Sequence, residues 1–209
     1  MQKDKVAKHV KDAIVKGNIK PGQRIVEASI CNQYNVGRSK VRDALKQLEQ
    51  EGYIEITPNV GAVVKEISQK DVAQIYDLMS VLEGLSMRIA TPNLTDEQIT
   101  KLEEINTKME ENKKNKFLLS QYNYEFHVLL TEFGGNSRLI AFMDNIRSQT
   151  YQMRLKTFYN EEQVQATLKE HRAIIKAIKE RKPQHVENLI RNHYIDAKNR
   201  LIKDLNATL

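Results

Sequence analysis

The N-terminal third of the chain carries short apolar patterns, most of them with the period of a helix and some with the character of a strand. In the first predicted helix an apolar residue recurs at every fourth position, and the pattern ends at Gly17-Asn18. That stripe consists of Val6, Val10 and Ile14. A brief extended stretch at 24–26 follows, and a second helix is predicted over 27–34. The next segment, Asn35-Val36-Gly37, is predicted to be a turn because Asn and Gly tolerate a positive φ.

A third helix is predicted to begin near Ser39, whose hydroxyl can cap its first turn. Four apolar residues at helical spacing form its buried stripe: Val41, Ala44, Leu45 and Leu48. Gly52 lies where a left-handed C-terminal cap is expected, and apolar Tyr53 follows it. The end of this helix is therefore well defined by the sequence.

Two β-rich runs, 53–56 and 62–66, flank the turn-forming segment 57–61. This arrangement predicts a two-stranded hairpin, or wing. Three short helices followed by such a hairpin, with a tight turn between the second and third helices, are typical of a winged helix-turn-helix.

From Ile67 onward the pattern becomes that of long helices, with few glycines and no strand-like runs. Six helices are predicted between Pro-, Gly- and Asn-containing breaks, near 68–90, 95–113, 116–133, 136–157, 160–181 and 183–205. Short connections favour an antiparallel bundle. The expected fold is therefore mainly α, with a winged helix-turn-helix at 1–66 and an all-helical domain at 67–209.

The composition adds a modest positive charge, with 33 Lys and Arg against 27 Asp and Glu in 209 residues. Residues 1–66 hold 12 basic and 8 acidic side chains, so the N-terminal domain is the better candidate for an anionic partner. Cys31 is the only cysteine, which excludes an intrachain disulfide and a Cys-based zinc finger. No signal peptide or membrane span is evident, so we expect a cytoplasmic protein with no membrane partner.

The predicted third helix carries a basic face. Off its buried stripe lie Arg38, Lys40, Arg42, Asp43 and Lys46, and four of these five are basic. Arginine can bond a guanine edge through two donors, and lysine can hold phosphates. Such a face can also be merely solvated, but its place in a helix-turn-helix favours DNA contact.

Residues 17–27, 35–45 and 48–53 together resemble the DNA-binding domain of the GntR family of transcription regulators. The resemblance implies that Arg24, Arg38 and Arg42 reach operator DNA and that Gly61, at the wing tip, enters the minor groove. Family members usually carry Thr-Pro where this chain has Ser39-Lys40, and Lys40 can add a contact.

Three of the five histidines fall on apolar-striped predicted helices: His127, His171 and His193. Asn123 precedes His127 by four residues and shares its helix face. Three imidazoles and an amide oxygen can bind a transition metal and leave positions open for a ligand. On spacing alone, buried structural histidines are the more common explanation. His9 and His185 are expected to face solvent.

Residues 68–205 resemble the FCD-type ligand-binding domain of FadR-like GntR regulators, and six helices resemble its VanR-like branch. The resemblance implies one divalent ion per chain, such as zinc, nickel or manganese, held by an acidic residue and three histidines. The matching positions are Asn123, His127, His171 and His193. Asn123 replaces the usual aspartate and removes one negative charge from the site.

The resemblance also bears on the effector. Relatives commonly carry, where this chain has Met79, an arginine that helps to hold an effector carboxylate, and a thioether cannot do this. We therefore expect a small organic acid that binds at the metal, with Arg154 or Tyr151 as secondary contacts. Arg154 can equally be a surface residue, because its helix also carries Arg147.

The sequence thus predicts a non-enzymatic regulator, a repressor, that binds an inverted-repeat operator as a homodimer. Two other classes remain open. A metal-dependent hydrolase with an accessory DNA-binding domain could use a three-histidine site, although the chain lacks the His-Glu-x-x-His, Gly-x-Ser-x-Gly and phosphate-loop motifs. A structural DNA-binding protein would not need so large a helical domain.

Overall fold

The computed structural model contains two compact units, one of Met1–Ser68 with Gln149–Leu155 and one of Gln69–Ser148 with Lys156–Leu209. The backbone is described at residues 2–15, 17–66, 68–156 and 160–207. Side chains are described at these positions except 2–4, 15, 148–149, 151–156 and 204–207. None of the helices in these ranges is long and apolar enough to cross a membrane.

The first unit contains three short helices: α1 (Gln2–Val15), α2 (Glu27–Tyr34) and α3 (Arg38–Gln50). The apolar stripes predicted for α1 and α3 are both buried, as the helical period requires. Ile30 of α2, Tyr53 and Ile54 complete the same core. Removal of these side chains from water is the main force that holds the three helices together.

Both ends of α3 are set by local backbone conformation. Asn35 adopts the left-handed conformation, with a φ of 49°. The prediction that Ser39 caps α3 is wrong: the helix begins at Arg38 and its N-cap residue is Gly37, which forms no side-chain cap bond. Because the Gly37 carbonyl already accepts the first helical hydrogen bonds, Ser39 falls inside the first turn.

The C-terminal end of α3 is the predicted glycine cap. Gly52 has a φ of 82°. The Gly52 amide donates to the Glu49 carbonyl and the Tyr53 amide to the Leu48 carbonyl, each at 2.9 Å, which is a Schellman motif. The buried ring of Tyr53 then leads the chain into the sheet.

Three strands form an antiparallel sheet in the order β1-β3-β2: β1 (Arg24–Ile25), β2 (Ile54–Thr57) and β3 (Gly61–Val64). The predicted wing is thus present with one strand more than expected, because the extended stretch before α2 pairs with β3. Two residues are too short a segment to show a strand period in the sequence.

Six long helices follow along the rest of the chain, and their bounds agree with the predicted ones to within a few residues. They are α4 (Gln69–Ala90), α5 (Asp96–Glu111), α6 (Lys116–Glu132), α7 (Ser137–Lys156), α8 (Glu161–Lys179) and α9 (Pro183–Ala207). Capping boxes begin α5 at Thr95 and α8 at Asn160. Helices α4, α6, α8 and α9 surround an apolar core that contains Met87, Phe126 and Ile174.

Candidate nucleic-acid interface and metal centre

The predicted DNA-contacting side chains of α3 all face away from its core. The exposed residues are Arg38, Ser39, Lys40, Arg42 and Lys46. Val41, Ala44, Leu45 and Leu48 are buried on the opposite side and anchor the helix. The helix therefore presents a rigid basic face.

An open depression of about 480 Å³ brings the predicted arginines together. Its lining includes Arg24 of β1, Arg38 and Arg42 of α3, and Gly61 at the start of β3. Three guanidinium groups from two elements thus converge beside the wing. Gly61 has a φ of 92°, which a larger residue rarely adopts, so glycine at this position keeps the wing in its observed conformation.

Arg42 has a protein partner that the sequence did not indicate. Its Nε donates to the Glu27 Oε2 at a distance of 3.1 Å, and the Arg42 side chain is 64% exposed. Exposed ion pairs of this kind contribute only about 0.2–1 kcal/mol. Arg42 can therefore replace its contact with Glu27 by a contact with a base or a phosphate at little cost in free energy.

The three predicted histidines meet in the core of the second unit. His127 comes from α6, His171 from α8 and His193 from α9, and all three are buried. One ring nitrogen from each lies within 4.8 Å of the others. The Nε2 atoms of His127 and His193 are 3.2 Å apart. Two nitrogens bound to one tetrahedral zinc are separated by about 3.3 Å.

Two carboxylates orient two of these rings. The Nδ1 of His127 lies 2.7 Å from Glu83 Oε1, and the Nδ1 of His193 lies 2.6 Å from Glu170 Oε2. Each Nδ1 therefore donates its proton to a carboxylate, which leaves a lone pair on each Nε2. Two lone pairs that face each other repel unless a cation or a proton lies between them.

The remaining candidate donors have no hydrogen-bond partner. Neither ring nitrogen of His171 is bonded among the described residues, nor is the Oδ1 of Asn123, although these atoms are fully buried. Burial, and then the neighbouring histidines, hold the pKa of His171 well below its usual value, so this ring is neutral at pH 7. Burial also lowers the pKa of His127, even though Glu83 opposes the shift. Ring nitrogens with an available lone pair are the donors that a divalent metal requires, so the three histidines fit such an ion.

Several residues behind these histidines were missed by sequence reasoning. Glu83 is fully buried, and its Oε2 accepts hydrogen bonds from Arg147 at 2.7 Å and from the Tyr194 hydroxyl at 2.9 Å. Arg147 also donates to the His127 carbonyl and to the Thr131 hydroxyl. Burial would raise the pKa of Glu83, but His127 and Arg147 outweigh it and the net shift is downward. The only sequence signal was an arginine and a glutamate at stripe-facing positions of two apolar helices.

A cavity of about 30 Å³ adjoins one of the three histidines. Asn123 and His193 contribute to its lining, together with Tyr76, Gln163, Thr167, Ala197, Arg200 and Leu201. Met79, at the position where relatives carry an effector-binding arginine, is packed in the apolar core and is not among these described lining residues. The predicted contacts Tyr151 and Arg154 lie outside the side chains that the structure describes.

Both parts of the chain match known protein families. Residues 2–64 match the family described as "Bacterial regulatory proteins, gntR family", and residues 74–196 match the FCD domain. The chain is 26% identical over 188 residues to the uncharacterized HTH-type transcriptional regulator YdhC of Bacillus subtilis, covering 88% of this chain and 84% of the relative. It is 28% identical over 186 residues to the gluconate operon transcriptional repressor of Bacillus licheniformis, covering 84% of this chain and 74% of that protein.

Solved structures share the fold. One is that of Escherichia coli McbR/YncC, with a TM-score of 0.79, 16% identity and coverage of 97% of this chain and 98% of that one. Another, a putative transcriptional regulator from Rhodococcus sp. RHA1, has a TM-score of 0.81, 20% identity and coverage of 96% and 97%. The chain therefore belongs to the proteins that carry an FCD domain, here joined to a gntR-family N-terminal domain, and it is a regulator of transcription rather than an enzyme.

Proposed function

We propose that this chain is a repressor that binds an inverted-repeat operator as a homodimer, and that a small organic acid bound in the helical domain controls its affinity for DNA. The observation that carries the DNA-binding part is the convergence of Arg24, Arg38 and Arg42 beside Gly61. The observation that carries the sensing part is the set of buried, unpartnered donor atoms next to a cavity.

In this proposal the two arginines on α3 read bases, because the first turn of a recognition helix enters the major groove. Lys40 and Lys46 lie on the same exposed face and would bind phosphates without regard to sequence. Ser39 adds a hydroxyl that can form a hydrogen bond with a base or with a phosphate. Arg24 and Gly61 belong to the wing side of the depression, which suits a contact with the adjoining minor groove.

In the helical domain, Asn123, His127, His171 and His193 would hold one divalent ion, such as zinc, nickel or manganese. A bound ion would supply a positive charge with affinity for carboxylate oxygens. The described residues do the rest: Glu83 and Glu170 fix the rings of His127 and His193, and the core around Phe126 excludes water.

A homodimer is needed because one winged helix reads only a few base pairs. A row of exposed apolar side chains along α4 supports it: Leu78 is 53% exposed, Val81 46% and Ile89 50%. Apolar side chains aligned on one helix face are typical of a surface that a partner covers. A ligand that favours one arrangement of two helical domains would change the spacing of the attached DNA-binding units, and hence operator affinity.

The test uses purified protein and the DNA upstream of its own gene. We expect protection of an inverted repeat, one bound metal per chain, and release of the DNA by a carboxylate in the presence of metal but not after chelation. Binding by a stable monomer would contradict the dimer. A protein that binds no added zinc, nickel or manganese would show that the histidines are structural.

A further inference from the structure

The cavity beside His193 has a charged side and a buried side. Asn123 and His193 are buried, whereas the side chain of Arg200 is 24% exposed. Arg200 lies seven residues after His193 on α9, which is two helical turns, so both side chains lie on the same face. The cavity of about 30 Å³ has room for about two water molecules between them.

Among the described residues that line this cavity, Arg200 is the only lysine or arginine. The buried Arg147 donates hydrogen bonds to Glu83, to a backbone carbonyl and to Thr131, so its charge is compensated within the core. Arg200 is therefore the cation that an anion entering this cavity meets first.

Arg200 already holds a carboxylate. Its NH1 atom lies 2.9 Å from Glu170 Oε1 and its NH2 atom 3.2 Å from Glu170 Oε2, in the forked arrangement with which arginine binds carboxylates. The same Glu170 Oε2 receives the Nδ1 proton of His193. One glutamate thus connects the guanidinium to a histidine of the candidate metal site.

We propose that Arg200 is the residue that recognises the carboxylate of the effector, and that Glu170 is an internal carboxylate with which the effector exchanges. The exchange keeps the guanidinium paired throughout, so it avoids the cost of leaving a partly buried charge alone. Glu170 remains bonded to His193 after it leaves Arg200. Tyr76, Gln163 and Thr167 line the same space and would select small acids that carry a polar substituent. This inference rests on the proposed function.

The experiment titrates the zinc-loaded protein with formate, acetate, glycolate and lactate by calorimetry, and with formamide and acetamide as uncharged analogues. For the carboxylate that binds most tightly, Arg200→Gln should weaken binding about tenfold or more, because a charge-assisted bond is lost. The carboxylate affinity of Arg200→Lys should lie between those of the wild type and Arg200→Gln, since lysine keeps the charge but cannot form two parallel hydrogen bonds. Affinity for the uncharged analogues should not change.

Arg191→Gln is the matched control. Arg191 is an exposed arginine of the same helix that is also paired with a glutamate, Glu187, and it does not line the cavity. Its replacement should leave carboxylate affinity within about twofold of the wild type. Zinc content and melting temperature, measured for every variant, identify any change that is due to misfolding.

Glu170→Gln gives the opposite test. If Glu170 competes with the effector for Arg200, the Glu170→Gln variant should bind the carboxylate more tightly than the wild type at saturating zinc. If the ion pair is purely structural, the affinity should not increase. This variant decides the matter if Arg200→Gln fails to fold. Wild-type affinity in Arg200→Gln, or no gain in Glu170→Gln, would overturn the inference and leave the proposed function intact. Failure of the zinc-loaded wild type to bind any of the four acids would overturn both.

Discussion

His171 lies in the core of the helical domain with neither ring nitrogen hydrogen-bonded among the described residues. Its ring stacks on Phe126, with the ring centroids 4.0 Å apart. A buried polar group without a partner costs about 1–3 kcal/mol of stability. In the absence of metal, His171 is therefore a destabilising residue.

We predict that His171→Leu keeps or raises the melting temperature of the metal-free protein and abolishes the increase that zinc causes. Leucine has a similar volume and no polar atom to desolvate. In a domain of this size a gain of 1 kcal/mol raises the melting temperature by about 2–4 °C. Thermal unfolding with zinc and with chelator measures both effects. A variant that is less stable than the metal-free wild type and still responds to zinc would refute this prediction.

Arg42 and Lys46 allow base recognition to be separated from phosphate binding. Arg42→Ala should remove the preference for the operator over random DNA, since a bidentate base contact contributes about 1–3 kcal/mol of discrimination. Lys46→Ala should weaken binding to all sequences alike and reduce the slope of log affinity against log salt by about one. Fluorescence anisotropy over a salt series measures both.

Lys101→Ala is a suitable control for these two variants, because Lys101 is an exposed lysine of α5, in the helical unit. It should match the wild type in both affinity and salt slope. An unchanged operator preference in Arg42→Ala would contradict the assignment of α3 as the recognition helix.

At the scale of elements, α4 has two different faces. One contributes Met79, Glu83 and Met87 to the interior of the domain. The other face carries the solvent-exposed side chains of Leu78, Val81 and Ile89. Because i, i+3 and i+11 fall on one side of a helix, this row is continuous over about three turns.

We predict that Leu78→Lys combined with Val81→Lys shifts the protein from dimer to monomer. Two charges on each copy would face their own symmetry mates across a two-fold axis and repel. Sedimentation velocity measures the oligomeric state, and affinity for the full inverted repeat should fall more than affinity for a half-site. Phe117→Lys changes an apolar residue that is also exposed, on α6, and should leave the dimer intact. A dimer that survives the double substitution would place the interface elsewhere.

At the scale of the whole molecule, buried titratable groups make stability depend on pH. Burial in the folded protein lowers the pKa of His127 and His171 below their ordinary value of 6.5, so the unfolded chain binds more protons. Burial alone would raise the pKa of Glu170, but hydrogen bonds from His193 and Arg200 lower it to about 2 from 4.5. Stability is therefore at its maximum above the unfolded histidine pKa and falls as pH decreases.

We predict that the metal-free protein loses stability in two steps, first as pH falls below about 6.5 and again below about 4.5. Chemical denaturation at a series of pH values measures the free energy of unfolding. His171→Leu should show a shallower first step, because one of the two histidines is gone. Equal slopes in wild type and variant would show that His171 already takes up its proton in the folded state.

The sequence alone determined the elements of this protein. Local spacing placed the helices, the turn at Asn35, the glycine cap at Gly52 and the three histidines on apolar stripes, because helical period and backbone preference act over a few residues. The pairing of β1 with β3 and the Gly37 cap were not predicted. The first depends on a distant strand, and the second on a turn too short to show a period.

Only the tertiary structure decided which distant polar residues meet. Glu83 and Arg147 are 64 positions apart, and Glu170 and Arg200 are 30 apart, yet each pair is joined in the folded domain. In the sequence nothing pairs these residues with each other across such separations. Their roles follow from packing, because a charge becomes a fixed partner only when neighbouring helices enclose it and leave it one geometry in which its cost of burial is offset.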